Sequence, residues 1–249
     1  MVRLAIVSTP RTGNTWLRYL LSRMYGVPET AVHNPADLDW DQLPPGVVVQ
    51  IHWHHVEPLV GTLRDRRFVV VSSARHPLDV LVSILHFAPR EPLTRRWLEG
   101  EGGNEAALTG ADPQSDVFLR YAQSRRAAAL LSVTPEWWAD PAVLRVRYED
   151  VVRDPVGQLE RLVETIGVAP GAAMRDVIDS CRIEKLRPTC PNQHFWQGQP
   201  GLWRDLVLAG HARAIAEYHK DAFQALGYRC EPDRGLSEHA ARQNWLHVS

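Results

Sequence analysis

Short apolar runs alternate with helix-type spacing through the first half of the chain, and this alternation leaves few folds open. The runs at residues 4–7, 47–51 and 68–71 are bounded by turn residues and predict buried strands. Between and after them, apolar residues recur at i, i+3, i+4 and i+7, as they do on one face of a helix. The order predicts an α/β fold with a central parallel sheet, right-handed crossovers and helices on both sides.

The second half extends this order and contains no linker that would divide it. Residues 143–148 alternate like a strand, and helices are predicted at about 117–131, 155–167 and 211–226. The sequence shows no internal repeat and no low-complexity tract. We therefore expect a single domain over residues 1–249.

Charge and cysteine content exclude several classes of protein. The 28 basic and 29 acidic residues leave a formal net charge of −1, so nucleic-acid binding has no electrostatic support. The three cysteines include no Cys-x-x-Cys pair, which favours reduced thiols over a disulfide framework. No apolar run approaches the roughly 18 residues of a membrane span, and the N-terminal run is too short for a signal peptide. We expect a cytoplasmic protein that binds neither nucleic acid nor membranes.

A candidate anion-binding loop lies between the first predicted strand and the first predicted helix. There, backbone N–H groups and the helix dipole favour a phosphate. Gly13 lets the backbone approach an anion, Arg11 supplies charge, and Asn14 and Thr15 offer side-chain donors. The Walker A pattern, with its lysine and magnesium-binding hydroxyl, is absent. The alternative is an ordinary strand–helix turn that happens to contain an arginine.

The run Pro10-Arg11-Thr12-Gly13-Asn14-Thr15-Trp16-Leu17 resembles the loop with which sulfotransferases hold the 5′-phosphosulfate of PAPS, 3′-phosphoadenosine 5′-phosphosulfate. The family pattern is Pro-Lys-(Ser/Ala)-Gly-(Thr/Asn)-(Thr/Ser)-Trp. The resemblance implies a P-loop NTPase-like fold, with Arg11 in place of the catalytic family lysine that bridges the sulfate and the leaving phosphate. It also implies that the phosphate lies against Thr12, Gly13, Asn14 and Thr15, and the adenine against Trp16. Arginine keeps the charge but is not a compact point charge.

A second motif supports the resemblance. Arg75-His76-Pro77-Leu78-Asp79-Val80-Leu81-Val82-Ser83 follows the third predicted strand and is similar to the family's 3′-phosphate motif, Arg-(Asp/Asn)-Pro-x-Asp-Val-x-Val-Ser. By this resemblance Arg75 and Ser83 bind the 3′-phosphate, the group that distinguishes PAPS from ordinary nucleotides. Read without the resemblance, Arg75 is a surface arginine before a proline that opens a helix.

Two weaker matches extend the similarity over most of the chain. Residues 147–155 resemble a family strand end of the type Tyr-Glu-Asp, from which Tyr148 approaches the cofactor. Residues 198–204 resemble a glycine-rich family loop in which Gly198 matches, but Trp196 and Gln197 replace an Arg-Lys pair. Arg182, Lys185, Arg187 and Arg204 are the candidates for the missing charge.

Sulfuryl transfer to a hydroxyl needs a base, and His52 is the candidate. It ends the second predicted strand, at the sheet edge where open α/β folds bind ligands, and the resemblance places the family's catalytic histidine after this strand. His54 and His55 are alternative bases, and His52 then has a structural role or contacts the acceptor. The cluster of His52, His54 and His55 near Glu57 also allows a metal site, but no matched ligand set accompanies it, so we expect no metal.

These features predict a PAPS-dependent sulfotransferase acting on a hydroxyl of a small-molecule or natural-product acceptor. A nucleotide-dependent phosphotransferase of the same fold and a PAPS-binding protein without activity are the alternatives. Residues 86–114 interrupt the periodicity with scattered glycine and proline, which is typical of a lid or an acceptor-binding loop. The sequence indicates no oligomeric state.

Overall fold

A parallel sheet forms the centre of the fold. The structure is a computed structural model that describes residues 1–98, 105–190 and 194–249. Within them the strands are Arg3–Val7 (β1), Glu29–Val32 (β2), Val47–Ile51 (β3), Val69–Ala74 (β4) and Leu144–Arg147 (β5). All pairings are parallel and the strand order is β2-β3-β1-β4-β5. The crossovers therefore bring the loops after β1, β3 and β4 to one edge of the sheet.

Helices cover both faces of this sheet. They are Asn14–Tyr25 (α1), Glu57–Asp65 (α2), Pro77–Phe87 (α3), Asp116–Ala122 (α4), Arg125–Ala139 (α5), Tyr148–Arg153 (α6), Pro155–Ile166 (α7), Met174–Ser180 (α8), Ile183–Leu186 (α9), Trp203–Leu206 (α10), Ala209–Tyr218 (α11), Lys220–Leu226 (α12) and Glu238–Val248 (α13). In β1, Ala5 and Val7 belong to one buried apolar cluster and Leu4 and Ile6 to the other, because successive side chains of a strand point to opposite faces. The predicted α/β fold is confirmed.

Several elements differ from the sequence prediction. The edge strand β2 was not predicted, because its residues are half-buried or exposed and form no apolar run. The helix expected at 117–131 is divided, since the Ser124 side chain accepts a hydrogen bond from the backbone N–H of Ala127 and starts α5. The helix expected at 211–226 is divided at the buried His219, whose ring bonds to the carbonyl of Ala122. The terminal helix α13 was not predicted either.

Parts of the loop predicted at 86–114 pack into the core and other parts are exposed, and residues 99–104 lie outside the described residues. Short 3-10 turns occupy Ala88–Arg90, Pro92–Arg96 and Glu105–Leu108. Trp97 and Leu98 are buried, and Glu105 forms a buried ion pair with Arg126 of α5 at 2.7 Å. The described parts of this loop are therefore tied to α5. Along the described ranges, no helix combines the length and the apolar character needed to cross a membrane.

Candidate functional site

The segment after β1 turns sharply at the carboxyl edge of the sheet. Arg11 and Gly13 adopt left-handed backbone conformations with φ of 67° and 90°, and α1 begins directly after Gly13 without a side-chain cap. β4 holds the turn in place: the N–H of Ser73 donates to Ser8 Oγ, and the hydroxyl of Ser73 donates to the carbonyl of Thr12, both at 2.7 Å. The uncapped N-terminus of α1 is thus held in place by hydrogen bonds between the loop and β4, which suits an anion.

The side chains of Thr12 and Asn14 stabilise this loop from within. Both are buried, and both donate to the carbonyl oxygen of Thr9 at 2.9 Å. Asn14 and Thr15 border the cavity described below, whereas Thr12 does not. The Thr12 hydroxyl therefore stabilises the loop and does not face the cavity.

Tyr148 contacts both Gly13 and Gly198, two glycines predicted to bind the nucleotide. A Cβ atom on Gly13 would lie 2.5 Å from Tyr148 Cδ2, so only glycine lets this ring pack against the loop. The Tyr148 hydroxyl donates to the carbonyl of Gly198 at 2.7 Å, and the Trp16 ring meets Tyr148 edge-on at 6.1 Å between centroids. The fold thus brings together residues that lie far apart in the sequence.

Two arginines converge on the same loop. Arg75 Nη1 donates to the carbonyl of Arg11 at 3.3 Å, and its guanidinium lies 4.7 Å from the centroid of Tyr148. Arg11 Nε donates to Ser83 Oγ at 3.1 Å, and the Arg11 guanidinium lies over Phe87 at 4.1 Å. Ser83, expected to work beside Arg75, is therefore bonded to Arg11, and the two predicted motifs meet through this hydrogen bond.

These arginines are held where a cation is poorly solvated. Burial lowers the pKa of Arg11 to about 9, and the positive charge of Arg75 is the second cause. The Nε atom of Arg75 is buried and has no hydrogen-bond partner among the described residues. A bound anion would relieve both penalties, since it would neutralise the charge and accept the N–H.

A cavity of about 600 Å³ opens in front of these groups and includes His52 in its wall. His52 is 6% exposed. Its Nδ1 lies 2.9 Å from the carbonyl oxygen of Ser8 and its Nε2 lies 3.0 Å from Gln50 Nε2. The carbonyl accepts only from Nδ1–H, so the neutral ring carries its lone pair on Nε2, where the Gln50 amide donates. Burial lowers the pKa of His52 to about 3.

His54 and His55 do not reach the cavity. His54 Nδ1 bonds to the Glu136 carboxylate at 2.9 Å, and His55 Nε2 bonds to Asp140 Oδ2 at 3.2 Å. Both carboxylates belong to α5 or its end. Across the described ranges, no group of three or more His, Cys, Asp or Glu side chains is arranged to hold a metal ion.

Several cavity residues were not singled out from the sequence: Arg18, His33, Gln50, Phe87, Glu91, Leu93 and His194. Gln50 could have been found, because it lies two residues before His52, which directly follows β3, and side chains two apart in an extended segment share a face. The others come from separate loops and helices, and no local sequence pattern predicts that they lie close together. Among the candidates for the missing charge, Arg182 borders the cavity, while Arg187 bonds to the carbonyls of Phe195 and Trp196.

Comparison with known proteins gives the same fold. The crystal structure of mouse sulfotransferase SULT7A1 complexed with PAP is similar with a TM-score of 0.64 and 19% identity, covering 90% of this chain and 85% of that chain. Retinol dehydratase in complex with androsterone and inactive cofactor PAP gives 0.57 and 17%, and its complex with retinol and PAP gives 0.54 and 17%. Each of these two covers 90% of this chain and 82% of that chain.

The family comparison identifies what the fold alone does not. The sulfotransferase domain matches residues 3–224, which include β1 to β5, the loop after β1 and the Arg75–Ser83 motif. This match confirms the family expected from the sequence. The chain belongs to the sulfotransferase domain family.

Proposed function

We propose that this chain takes the sulfuryl group from PAPS and transfers it to a hydroxyl of a small-molecule acceptor. The observation that carries the proposal is the pair Arg11 and Arg75, placed beside the uncapped N-terminus of α1. Two cations and a helix N-terminus favour a ligand with more than one anionic group. The three similar structures were solved with PAP, the nucleotide that remains when PAPS has lost its sulfuryl group.

The residues present fit this nucleotide. The unpartnered N–H of Arg75 needs an acceptor, and the conformation at Gly13 lets a phosphate approach the backbone. The proposed nucleotide-binding residues are Arg11, Thr12, Gly13, Asn14, Thr15, Trp16, Arg75, Ser83, Tyr148 and Gly198. Within this set, Arg75 and Ser83 hold the 3′-phosphate, and the ring of Trp16 lies against the adenine.

The proposed base is His52. When bound, PAPS supplies the electrophilic sulfuryl group. An acceptor hydroxyl that takes the place of the Gln50 amide donates to His52 Nε2, and the ring then removes its proton. The bond from Nδ1–H to the carbonyl of Ser8 fixes the required tautomer, and burial keeps the ring neutral at pH 7. Arg11 stabilises the negative charge that develops on the transferred group and the leaving phosphate.

The cavity favours an acceptor with apolar surface. Phe87, Leu93 and Trp97 line it, and Trp97 meets the His52 ring edge-on at 6.3 Å. Leu93 and Trp97 belong to the 86–114 loop, which supports the proposal that this loop contacts the acceptor. The comparison structures of retinol dehydratase hold androsterone or retinol, both apolar molecules. We also propose a cytoplasmic location, since the cysteines are free thiols.

Ligand titration and an activity assay test the proposal. Calorimetry should show binding of PAP and much weaker binding of ATP with Mg²⁺, and Arg11→Ala should lose most of the PAP affinity. Labelled PAPS should then transfer its label to members of a pool of phenols, alcohols and sugars. Tight binding of ATP with Mg²⁺ and none of PAP would favour a phosphotransferase and overturn the proposal.

One observation favours a second candidate, a PAPS-binding protein without activity. Gln50 occupies the lone pair of His52 in this structure, and burial lowers the pKa of the ring to about 3. A histidine so held accepts a proton weakly. PAP binding without any label transfer would support this candidate.

A further inference from the structure

The segment at residues 194–201 lies in neither a helix nor a strand, and its residues 194–198 form one wall of the cavity. Its backbone is held by side chains from other elements. Arg11 Nη2 donates to the carbonyl of His194 at 3.1 Å, Tyr148 donates to that of Gly198, and the N–H of Gly201 donates to Asp79 Oδ2 at 2.6 Å. Its position is therefore coupled to the nucleotide-binding loop.

Trp196 anchors this segment to α3 and α13. Its ring stacks on His86 at 4.2 Å between centroids and 12° between planes, and Trp245 meets it edge-on at 5.9 Å. The indole N–H donates to the carbonyl of Val248. Both Trp245 and Val248 belong to α13, so this helix closes over the segment.

Helix α3 contacts both Trp196 and Arg11. Ser83, His86 and Phe87 are spaced i, i+3 and i+4, so they lie on one face of that helix. Ser83 and Phe87 contact Arg11, whereas His86 contacts Trp196. Arg11 and Trp196 therefore contact the same face of α3, which is buried along its whole length.

α13 is itself fixed to the body of the protein. Asn244 Nδ2 donates to the carbonyl of Asp205 at 2.9 Å, and Arg242 pairs with Asp112 at 3.6 Å. The helix begins at Glu238, after the last residue matched by the sulfotransferase domain, which is 224. Helix α13 therefore lies outside the matched region, and it contacts the cavity wall through Trp196.

We infer that α13 is a strap that holds the 194–201 segment in its nucleotide-binding position, and that Trp196 is the positioning residue through which it acts. This inference rests on the proposed function for its nucleotide, but the strap itself can be tested without any ligand. The indole N–H and the ring stack make separate contributions, because one contacts the backbone of α13 and the other contacts α3.

The ligand-free test is amide hydrogen exchange. Trp196→Leu, and a chain ending at residue 236, should exchange faster over 194–201, while β1, β3 and β4 stay as protected as in the wild type. Leu246→Ala is the matched control, since this side chain lies on α13 but is 69% exposed. Unchanged exchange at 194–201 in Trp196→Leu overturns the inference, and this variant decides the matter if the shortened chain does not fold.

PAP titration measures the consequence for binding. Trp196→Leu should weaken PAP by about ten-fold, which corresponds to about 1.4 kcal/mol, and Trp196→Phe, which keeps a ring but not the N–H, should lose less. The rise in melting temperature that PAP causes should shrink in Trp196→Leu and stay full in Leu246→Ala. A lower melting temperature with unchanged PAP affinity would show a merely structural role. Failure of the wild type to bind PAP at all would instead overturn the proposed function.

Discussion

Burial sets the chemistry of single side chains in this cavity. It holds His52 neutral and lowers the pKa of Arg11 to about 9, with the charge of Arg75 as the second cause. A neutral imidazole can accept a proton, and crowded cations bind an anion more strongly than solvated ones. Proton acceptance and anion binding are therefore assigned to different residues, and mutations can separate the two roles.

His52→Ala should abolish turnover and leave PAP affinity nearly unchanged. Loss of a general base costs about two to four orders of magnitude in rate. Initial rates with labelled PAPS and calorimetric titration with PAP measure the two effects. His54→Ala is the matched control, because His54 bonds to Glu136 outside the cavity. If His52→Ala keeps more than a tenth of the activity, the base is another residue.

Arg75→Ala should separate two ligands that differ by one phosphate. A charge-assisted contact to the 3′-phosphate contributes roughly 1.5–3 kcal/mol, so PAP should bind about ten- to a hundred-fold more weakly. Adenosine 5′-phosphosulfate, which has no 3′-phosphate, should bind almost as before. Ser83→Ala should follow the same pattern more mildly.

Calorimetry of both ligands checks the Arg75 prediction, with Arg204→Ala as the control. Arg204 bonds to the carbonyl of Glu231 and does not border the cavity. Equal losses for the two ligands would mean that Arg75 only supports the fold.

Among the elements, those with a strong local signal could be predicted and those set by distant contacts could not. Apolar runs predicted β1, β3 and β4, and Gly167 ends α7 in a left-handed conformation, at the predicted end of the helix at 155–167. The edge strand β2 has no such run, because one side faces solvent. The break at His219 depends on its bond to Ala122, a residue 97 positions away.

The same distinction applies to the candidate site. The residues from Arg11 to Trp16 are contiguous, so a motif could indicate them, and Arg75 and Ser83 share a second motif. His33 and His194 reach the cavity from opposite ends of the chain, and only the fold brings them together. The bond between Arg11 and Ser83 likewise joins two motifs that the sequence left separate.

Gly13→Ala should damage the loop between β1 and α1 more than conformational strain alone explains. The left-handed backbone costs an alanine about 1–2 kcal/mol, and its Cβ would also lie 2.5 Å from the Tyr148 ring. Tyr148 would have to move and would release the carbonyl of Gly198. PAP affinity should fall by at least about ten-fold, in addition to the loss of stability.

Gly26→Ala is the matched control for this prediction. Gly26 also has a positive φ, 61°, but nothing lies within 4 Å of a Cβ placed there. It should lose stability by the same strain and keep its PAP affinity. Thermal unfolding and calorimetry of both variants test the difference, and equal PAP affinities would show that the contact with Tyr148 does not matter for binding.

Across the whole molecule, histidines buried in their neutral form connect folding to pH. Burial lowers the pKa of His52 and His86 to about 3 and that of His76 and His194 to about 4. In the unfolded chain these rings titrate near their ordinary pKa of about 6.5. Below that pH the unfolded state binds more protons than the folded state, so the free energy of unfolding falls as the solution becomes more acidic.

The protein should therefore lose stability between pH 6.5 and 5, before the carboxylates begin to titrate. One fully buried neutral histidine contributes a slope that approaches about 1.4 kcal/mol per pH unit below its unfolded pKa, hence about 1.6 kcal/mol over this interval. Urea unfolding at pH 7.5, 6.5, 5.5 and 5.0 measures the slope. His86→Phe removes one such group and keeps a ring to stack on Trp196, so its slope should be smaller by about 1.4 kcal/mol per pH unit. A free energy of unfolding that stays constant from pH 7.5 to 5.0 would show that these rings titrate in the folded protein as they do in the unfolded chain, so that His52 is not held neutral at pH 5.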